Sequence, residues 1–137
     1  MPTNLPNVFY PLVPKQGEAD CSIAVLAWYL RRKHAEVLIA AAHVSPTVWT
    51  AGLSSVEMIR VAKRLGVKAR WKTQQIDLDE DIGTLWVGYH DSTKEHMVDL
   101  AEGWIYDPEH DPVTMARQEE WMRANNAYPK ALMQVCE

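Results

Sequence analysis

The sequence predicts a single α+β domain, residues 1–137, in which helices pack on an antiparallel β-sheet. Apolar residues recur with helical spacing through the first half of the chain. Short segments that alternate apolar and polar residues, separated by turn residues, occupy the second half. Helices followed by a run of strands are typical of α+β domains. A chain of 137 residues that is 47% hydrophobic is also large enough to bury one core.

The first predicted helix runs from Cys21 to about His34, with Asp20 as its N-cap. Its apolar side chains cover most of the circumference, which predicts a helix buried in the middle of the fold. Residues 1–20 precede it and contain four prolines without a helical period. They are therefore predicted to form an extended arm.

Two more helices and then the strands follow along the chain. A short helix is predicted over residues 36–43, and the segment SSVEMIRVAKRLG predicts another that is capped by Ser54 or Ser55 and ended by Gly66. Strands are predicted in the segments VKARWKT, TLWVGYH, HMVDLAE, GWIYDP and ALMQVC, with a hairpin turn at residues 101–103 and one further helix over residues 114–125.

Charge and composition exclude several classes of protein. The net charge is −4 and residues 31–33 form the one basic cluster, so no nucleic-acid partner is expected. No segment reaches about 18 consecutive apolar residues and the N-terminus lacks the pattern of a signal peptide, so neither membrane insertion nor export is expected. Cys21 and Cys136 are accordingly expected to be thiols in a cytoplasmic protein.

Cys21, at the start of the first predicted helix, is a candidate nucleophile. Unpaired backbone N–H groups and the positive end of the helix dipole favour thiolate over thiol at such a position. Thiolate is the form that attacks an electrophile. The alternative is that Cys21 is a small core residue, because cysteine is among the most buried residue types.

A thiolate nucleophile needs a base, and the base needs an orienting partner. Among five histidines, His96 opens the strand segment HMVDL, and Asp107 follows eleven residues later, beyond the predicted turn. If these two strands pair as a hairpin, the carboxylate lies in the neighbourhood of the imidazole. His34 and His43 lie near helix ends and are expected to face solvent.

Acyl transfer also needs donors for the oxyanion of its tetrahedral intermediate. The backbone N–H of Cys21 is one candidate, and the side-chain amide of Gln16, five residues upstream on the arm, is another. A glutamine in a polar segment is most simply a solvated side chain when it is considered alone. The oxyanion hypothesis therefore depends on the whole set of residues.

Taken together, these motifs resemble the papain-like cysteine peptidases. QGEADCSIAVL, followed downstream by HMVDLAEGWIYDP, is most similar to the bacteriocin-processing, double-glycine leader peptidase family. The resemblance covers about residues 10–110 and implies the papain-like cysteine proteinase fold, with a buried N-terminal nucleophile helix packed on an antiparallel β-sheet. It implies a peptidase that needs no cofactor or metal and acts on a peptide or protein substrate. The implied roles are nucleophile for Cys21, base for His96, orienting residue for Asp107 and oxyanion donor for Gln16.

Three alternatives stay open. A zinc site could be formed by His90, Asp91, His96, Asp107 and His110, although no compact ligand motif such as H-E-x-x-H or paired C-x-x-C occurs. A thiol on the same fold could also carry out a different acyl transfer, as an amidase, a deconjugating enzyme or an acyltransferase. The third alternative is an inactive relative that binds peptides.

Overall fold

The structure, a computed structural model, describes residues 21–48, 52–109 and 114–136. Within these ranges it contains four helices and one six-stranded sheet. The helices are α1 (Cys21–Leu30), α2 (His34–Val44), α3 (Ser55–Arg64) and α4 (Gln118–Asn125). The strands are β1 (Ala69–Lys72), β2 (Ile82–Tyr89), β3 (Ser92–Ala101), β4 (Trp104–Asp107), β5 (Thr114–Arg117) and β6 (Ala127–Val135). None of these four helices is long and apolar enough to cross a membrane.

Every strand of the sheet runs antiparallel to its neighbours, in the order β1-β6-β2-β3-β4-β5. Helices α1, α2 and α3 form the main core on one face, where Met133 of β6 joins them. Trp121 of α4 packs on the other face, against residues such as Leu85 and Val98. The predicted α+β class, with helices packed on an antiparallel sheet, is confirmed.

Helix α1 is buried on nearly all sides, as its apolar circumference predicts, since eight of its ten residues are buried. It ends at Leu30, so the prediction that it continues to about residue 34 is wrong. Arg31 adopts a left-handed φ of 57°. The N–H groups of Arg31 and Arg32 then donate to the carbonyls of Trp28 and Ala27, at 3.4 and 3.0 Å. This arrangement satisfies the last carbonyls of the helix and turns the chain toward α2.

Helix α3 begins and ends as predicted. The N–H of Glu57 donates to Oγ of Ser54 at 3.2 Å, and the N–H of Ser54 donates to Oε1 of Glu57 at 2.9 Å. These two reciprocal bonds form a capping box. Gly66 follows the helix with a φ of 82°, which an L side chain rarely adopts.

The predicted strand segments all overlap observed strands, and β3 and β6 are longer than expected. The strand β3 begins at Ser92 instead of His96, and β6 begins at Ala127 instead of Ala131. The hairpin between β3 and β4 turns at Glu102 and Gly103, both with positive φ. Asp99 therefore lies opposite Tyr106 on the ladder.

Residues 114–125, predicted to be one helix, divide into β5 and α4, so this prediction is wrong in its first four residues. In β5, Thr114 lies opposite Asp107 and Ala116 lies opposite Ile105 of β4. The outer edge of β4 presents backbone groups that need hydrogen-bond partners, and β5 supplies them. The helix starts only at Gln118, whose N–H donates to the carbonyl of Gly103 at 2.8 Å.

Candidate active site

Cys21 is the first residue of α1, and its side chain is half-buried. Helix α1 packs against β3 and β2, so the helix that begins with Cys21 adjoins strands from the second half of the chain. The Sγ of Cys21 donates a hydrogen bond to Oε2 of Glu109 at 3.4 Å, although 88 residues separate the two in sequence. Cys21 and Cys136 are both thiols.

His96 and Asp107 are in direct contact. The Nε2 of His96 lies 2.7 Å from Oδ1 of Asp107, and their side chains are only 13% and 6% exposed. The register that sets Asp99 opposite Tyr106 places Asp107 diagonally across from His96 on the same face of the sheet. The neighbourhood predicted from the turn is therefore confirmed, with a diagonal relation between the two residues.

The carboxylate of Asp107 is held by His96 and by a backbone N–H group. Its Oδ1 contacts His96 and also accepts a hydrogen bond from the backbone N–H of Glu109 at 3.0 Å. A buried carboxylate is costly unless it is hydrogen-bonded. These contacts hold Asp107 in one orientation. Asp107 in turn engages one nitrogen of the His96 ring, Nε2.

The thiol, the imidazole and a second carboxylate meet at one point. The Sγ of Cys21, a ring nitrogen of His96 and a carboxylate oxygen of Glu109 all lie within 4.8 Å of one another. The structure thus brings together three of the four residues predicted from sequence, namely Cys21, His96 and Asp107. The fourth, Gln16, and the predicted cap Asp20 lie outside the described residues.

The described members of the alternative zinc set do not form one metal-binding cluster. His90 and Asp91 are exposed, and the ring of His90 stacks on Tyr128 with centroids 4.9 Å apart. His110 lies outside the described residues. In the part of the chain that the structure describes, the cluster able to hold a metal contains Cys21, His96 and Glu109 instead.

Glu109 and Tyr89 adjoin the site and were not predicted from sequence. Burial raises the pKa of Tyr89, and the negative charges of Asp107 and Glu109 raise it further. Tyr89 thus lies close enough to feel both carboxylates. For Glu109 a local signal existed, because an aspartate side chain commonly accepts a hydrogen bond from the backbone two residues on, and Glu109 lies two residues after Asp107 in the turn that follows β4. No such signal exists for Tyr89, because its place depends on how β2 pairs.

A cavity of about 280 Å³ adjoins the buried end of the site, and its lining includes Asp107, Thr114, Glu120 and Trp121. It is formed where the start of β5 meets helix α4. Trp121, which is 4% exposed, contributes one wall of this cavity as well as a core contact. The cavity gives the site a recess next to Asp107.

Helix α1 carries the thiol and packs on the antiparallel sheet that carries the imidazole and the carboxylate. The chain is similar to the solved peptidase domain of Streptococcus ComA, a bi-functional ABC transporter involved in a quorum sensing pathway. The similarity covers 93% of this chain and 98% of that one, with a TM-score of 0.63 and 18% sequence identity. The fold implied by the sequence resemblance is therefore confirmed. No family model and no curated protein sequence matches the chain.

Proposed function

We propose that this protein is a cysteine peptidase that hydrolyses peptide bonds through Cys21, His96 and Asp107. The observation that carries the proposal is the meeting of these three side chains, since α1 supplies Cys21 and the hairpin of β3 and β4, far from α1 in the sequence, supplies His96 and Asp107. In the same proposal the side-chain amide of Gln16, in the segment predicted to be an extended arm, and the backbone N–H of Cys21 stabilise the oxyanion.

The proposed first step forms a thioester. Because Asp107 engages Nε2 of His96, the other ring nitrogen, Nδ1, accepts the thiol proton of Cys21. The thiolate attacks the carbonyl carbon of the scissile bond, and the resulting imidazolium then gives its proton to the leaving amine as the C–N bond breaks.

The proposed second step restores the enzyme. His96 takes a proton from water, and the hydroxide so formed attacks the thioester carbonyl. The C–S bond breaks, the carboxylic acid product leaves, and Cys21 regains its proton. Asp107 serves in both steps because it holds the ring in place and stabilises its charged form.

The class of substrate proposed here is a peptide or protein. The sequence resemblance to double-glycine leader peptidases suggests cleavage after a pair of small residues, since such residues leave room around the half-buried thiol. An amidase, a deconjugating enzyme or an acyltransferase would use the same thiol and differ in the acyl acceptor or the leaving group. An inactive relative would bind peptides without cleaving them.

A peptide library tests the proposal. The wild-type protein should cleave a subset of peptides, Cys21→Ala should cleave none, and the matched control Cys136→Ala should cleave the same subset as wild type. Mass spectrometry of the products separates hydrolysis from transfer to another acceptor. Cleavage that persists in Cys21→Ala would contradict the proposal, and binding without cleavage by the wild type would favour the inactive relative.

A further inference from the structure

Glu109 has no role in the proposed peptidase chemistry, yet it accepts a hydrogen bond from the proposed nucleophile. Its Oε2 lies 3.4 Å from Sγ of Cys21, and its side chain is exposed. A carboxylate and a thiolate at this distance repel each other. The same pair of anionic groups is favourable when a cation lies between them.

We propose that Cys21, His96 and Glu109 form a binding site for a zinc-like divalent cation, and that the bound cation blocks the thiol. The binding half of this proposal stands on the geometry of the three side chains. The inhibitory half rests on the proposed peptidase function, because it concerns the same thiol.

The three ligand types suit zinc. Thiolate, imidazole and carboxylate are its usual protein ligands, and three of them leave one position for water. The site would carry two negative charges against the two positive charges of the ion. Calcium and magnesium prefer sites made of oxygen atoms alone, so a site with sulfur and nitrogen selects against them.

The distances are close to those that a tetrahedral ion requires. Bonds of about 2.3 Å to sulfur and about 2.0 Å to oxygen set these two atoms about 3.5 Å apart. The observed separation between Cys21 and Glu109 is 3.4 Å. The three ligand atoms all lie within 4.8 Å of one another, so the largest approach that an ion requires is about 1.5 Å. Rotation of the Cys21 and Glu109 side chains toward His96 supplies movement of that size.

The surroundings of His96 are also those of a metal ligand. A histidine that binds a metal through one ring nitrogen commonly donates the N–H of the other to a carboxylate, which fixes the tautomer and raises the basicity of the ligand. Asp107 contacts Nε2 of His96 at 2.7 Å and is itself held by the backbone N–H of Glu109. Nδ1 of His96, the nitrogen that would accept the thiol proton in catalysis, is therefore the nitrogen that remains to bind the cation.

Binding of the cation would remove the thiol proton to solvent and occupy the sulfur lone pair that attacks a substrate. The site would thus be switched off by the cation and switched on again by its removal. Because Glu109 is exposed, its carboxylate can leave the ion easily, which suits reversible binding.

Cobalt(II) is the probe for the binding half, because its visible spectrum reports tetrahedral coordination and a thiolate ligand adds a charge-transfer band. Titration of the reduced, metal-depleted wild type should give one cobalt(II) per chain, displaced by one equivalent of zinc. The charge-transfer band should vanish in Cys21→Ser and remain in Cys136→Ser. Glu109→Gln should weaken the affinity at least about tenfold, and Asp107→Asn by about 10–100-fold, the usual cost of losing the partner of a ligand histidine.

Glu36→Gln, which removes the same charge from an exposed position on α2, is the matched control and should bind as the wild type does. A band that survives in Cys21→Ser, or an affinity that is equal in Glu109→Gln and wild type, would overturn the site. These measurements need no substrate, so they can be read even if no peptide is ever cleaved.

The inhibitory half is tested by alkylation and by turnover. Zinc should protect Cys21 from iodoacetamide, and EDTA should restore the labelling. Peptide cleavage should be suppressed by zinc and survive EDTA. Zinc-stimulated cleavage would overturn the inhibitory half and move the chemistry to the metal. If cleavage depends on Cys21 but is indifferent to zinc, the peptidase proposal stands and only this inference fails.

Discussion

The buried carboxyl of Asp99 should make the stability of this protein depend on pH. Asp99 lies fully buried near the C-terminal end of β3, where its Oδ1 accepts a hydrogen bond from the hydroxyl of Thr84 at 2.9 Å. Its Oδ2 has no hydrogen-bond partner among the described residues. Burial raises the pKa of Asp99 well above its ordinary value of 3.8, and the bond from Thr84 offsets only part of that rise.

The sign and the size of the effect follow from the proton balance. With a raised pKa, the folded protein keeps a proton on Asp99 at pH values where the unfolded chain has lost it. The stability that this proton provides is fully present below the unfolded pKa and is lost as the pH rises toward the folded pKa. One retained proton lowers the free energy of unfolding by about 1.4 kcal/mol per pH unit in that window.

Asp99→Asn tests this reasoning, because asparagine has nearly the same shape, keeps an acceptor for Thr84 and does not ionise. Urea unfolding, followed by tryptophan fluorescence, should be measured between about pH 4 and about pH 8 for three proteins. The wild type should lose stability relative to Asp99→Asn as the pH rises, by up to about 1.4 kcal/mol per unit. The control Asp91→Asn, at an exposed position, should follow the wild type. Parallel curves for wild type and Asp99→Asn would refute the argument.

Three further predictions concern the site and one helix end. Iodoacetamide near pH 6 should label Cys21 before Cys136, and His96→Ala should slow that labelling; equal labelling that ignores His96 would contradict a thiolate–imidazolium pair. Gln16→Ala should lower kcat on the order of 100-fold with little change in KM, whereas a wild-type rate would mean that the oxyanion is stabilised elsewhere. Ser54→Ala should cost about 1 kcal/mol of stability in urea unfolding through loss of the capping box, and an unchanged midpoint would contradict that role.

Features set by neighbours in sequence could be predicted from the sequence alone. The capping box of Ser54 and Glu57 and the glycine after α3 involve residues only a few positions apart, so local chemistry decides them. Predicting the contact between His96 and Asp107 needed one further assumption, namely that their two strands pair across a tight hairpin turn. A turn of known length brings residues on its two strands together in a limited number of ways, so their neighbourhood could be predicted.

The burial of α1 could also be predicted, because a helix that is apolar on nearly all sides has no solvent-compatible face. Its end could not. The left-handed conformation of Arg31 is unusual for an arginine, and it is accepted here because α2 then folds back onto α1 and the last carbonyls find donors.

Only the tertiary structure decided the remaining features. Residues 114–117 have a helical pattern, yet they form β5 because the outer edge of β4 needs hydrogen-bond partners and these residues supply them. The proximity of Glu109 to Cys21 depends on the packing of α1 against β3 and joins residues 88 positions apart. The full burial of Asp99 likewise depends on what covers β3. Contacts of this kind arise from the pairing of distant segments, and no local pattern in the sequence encodes them.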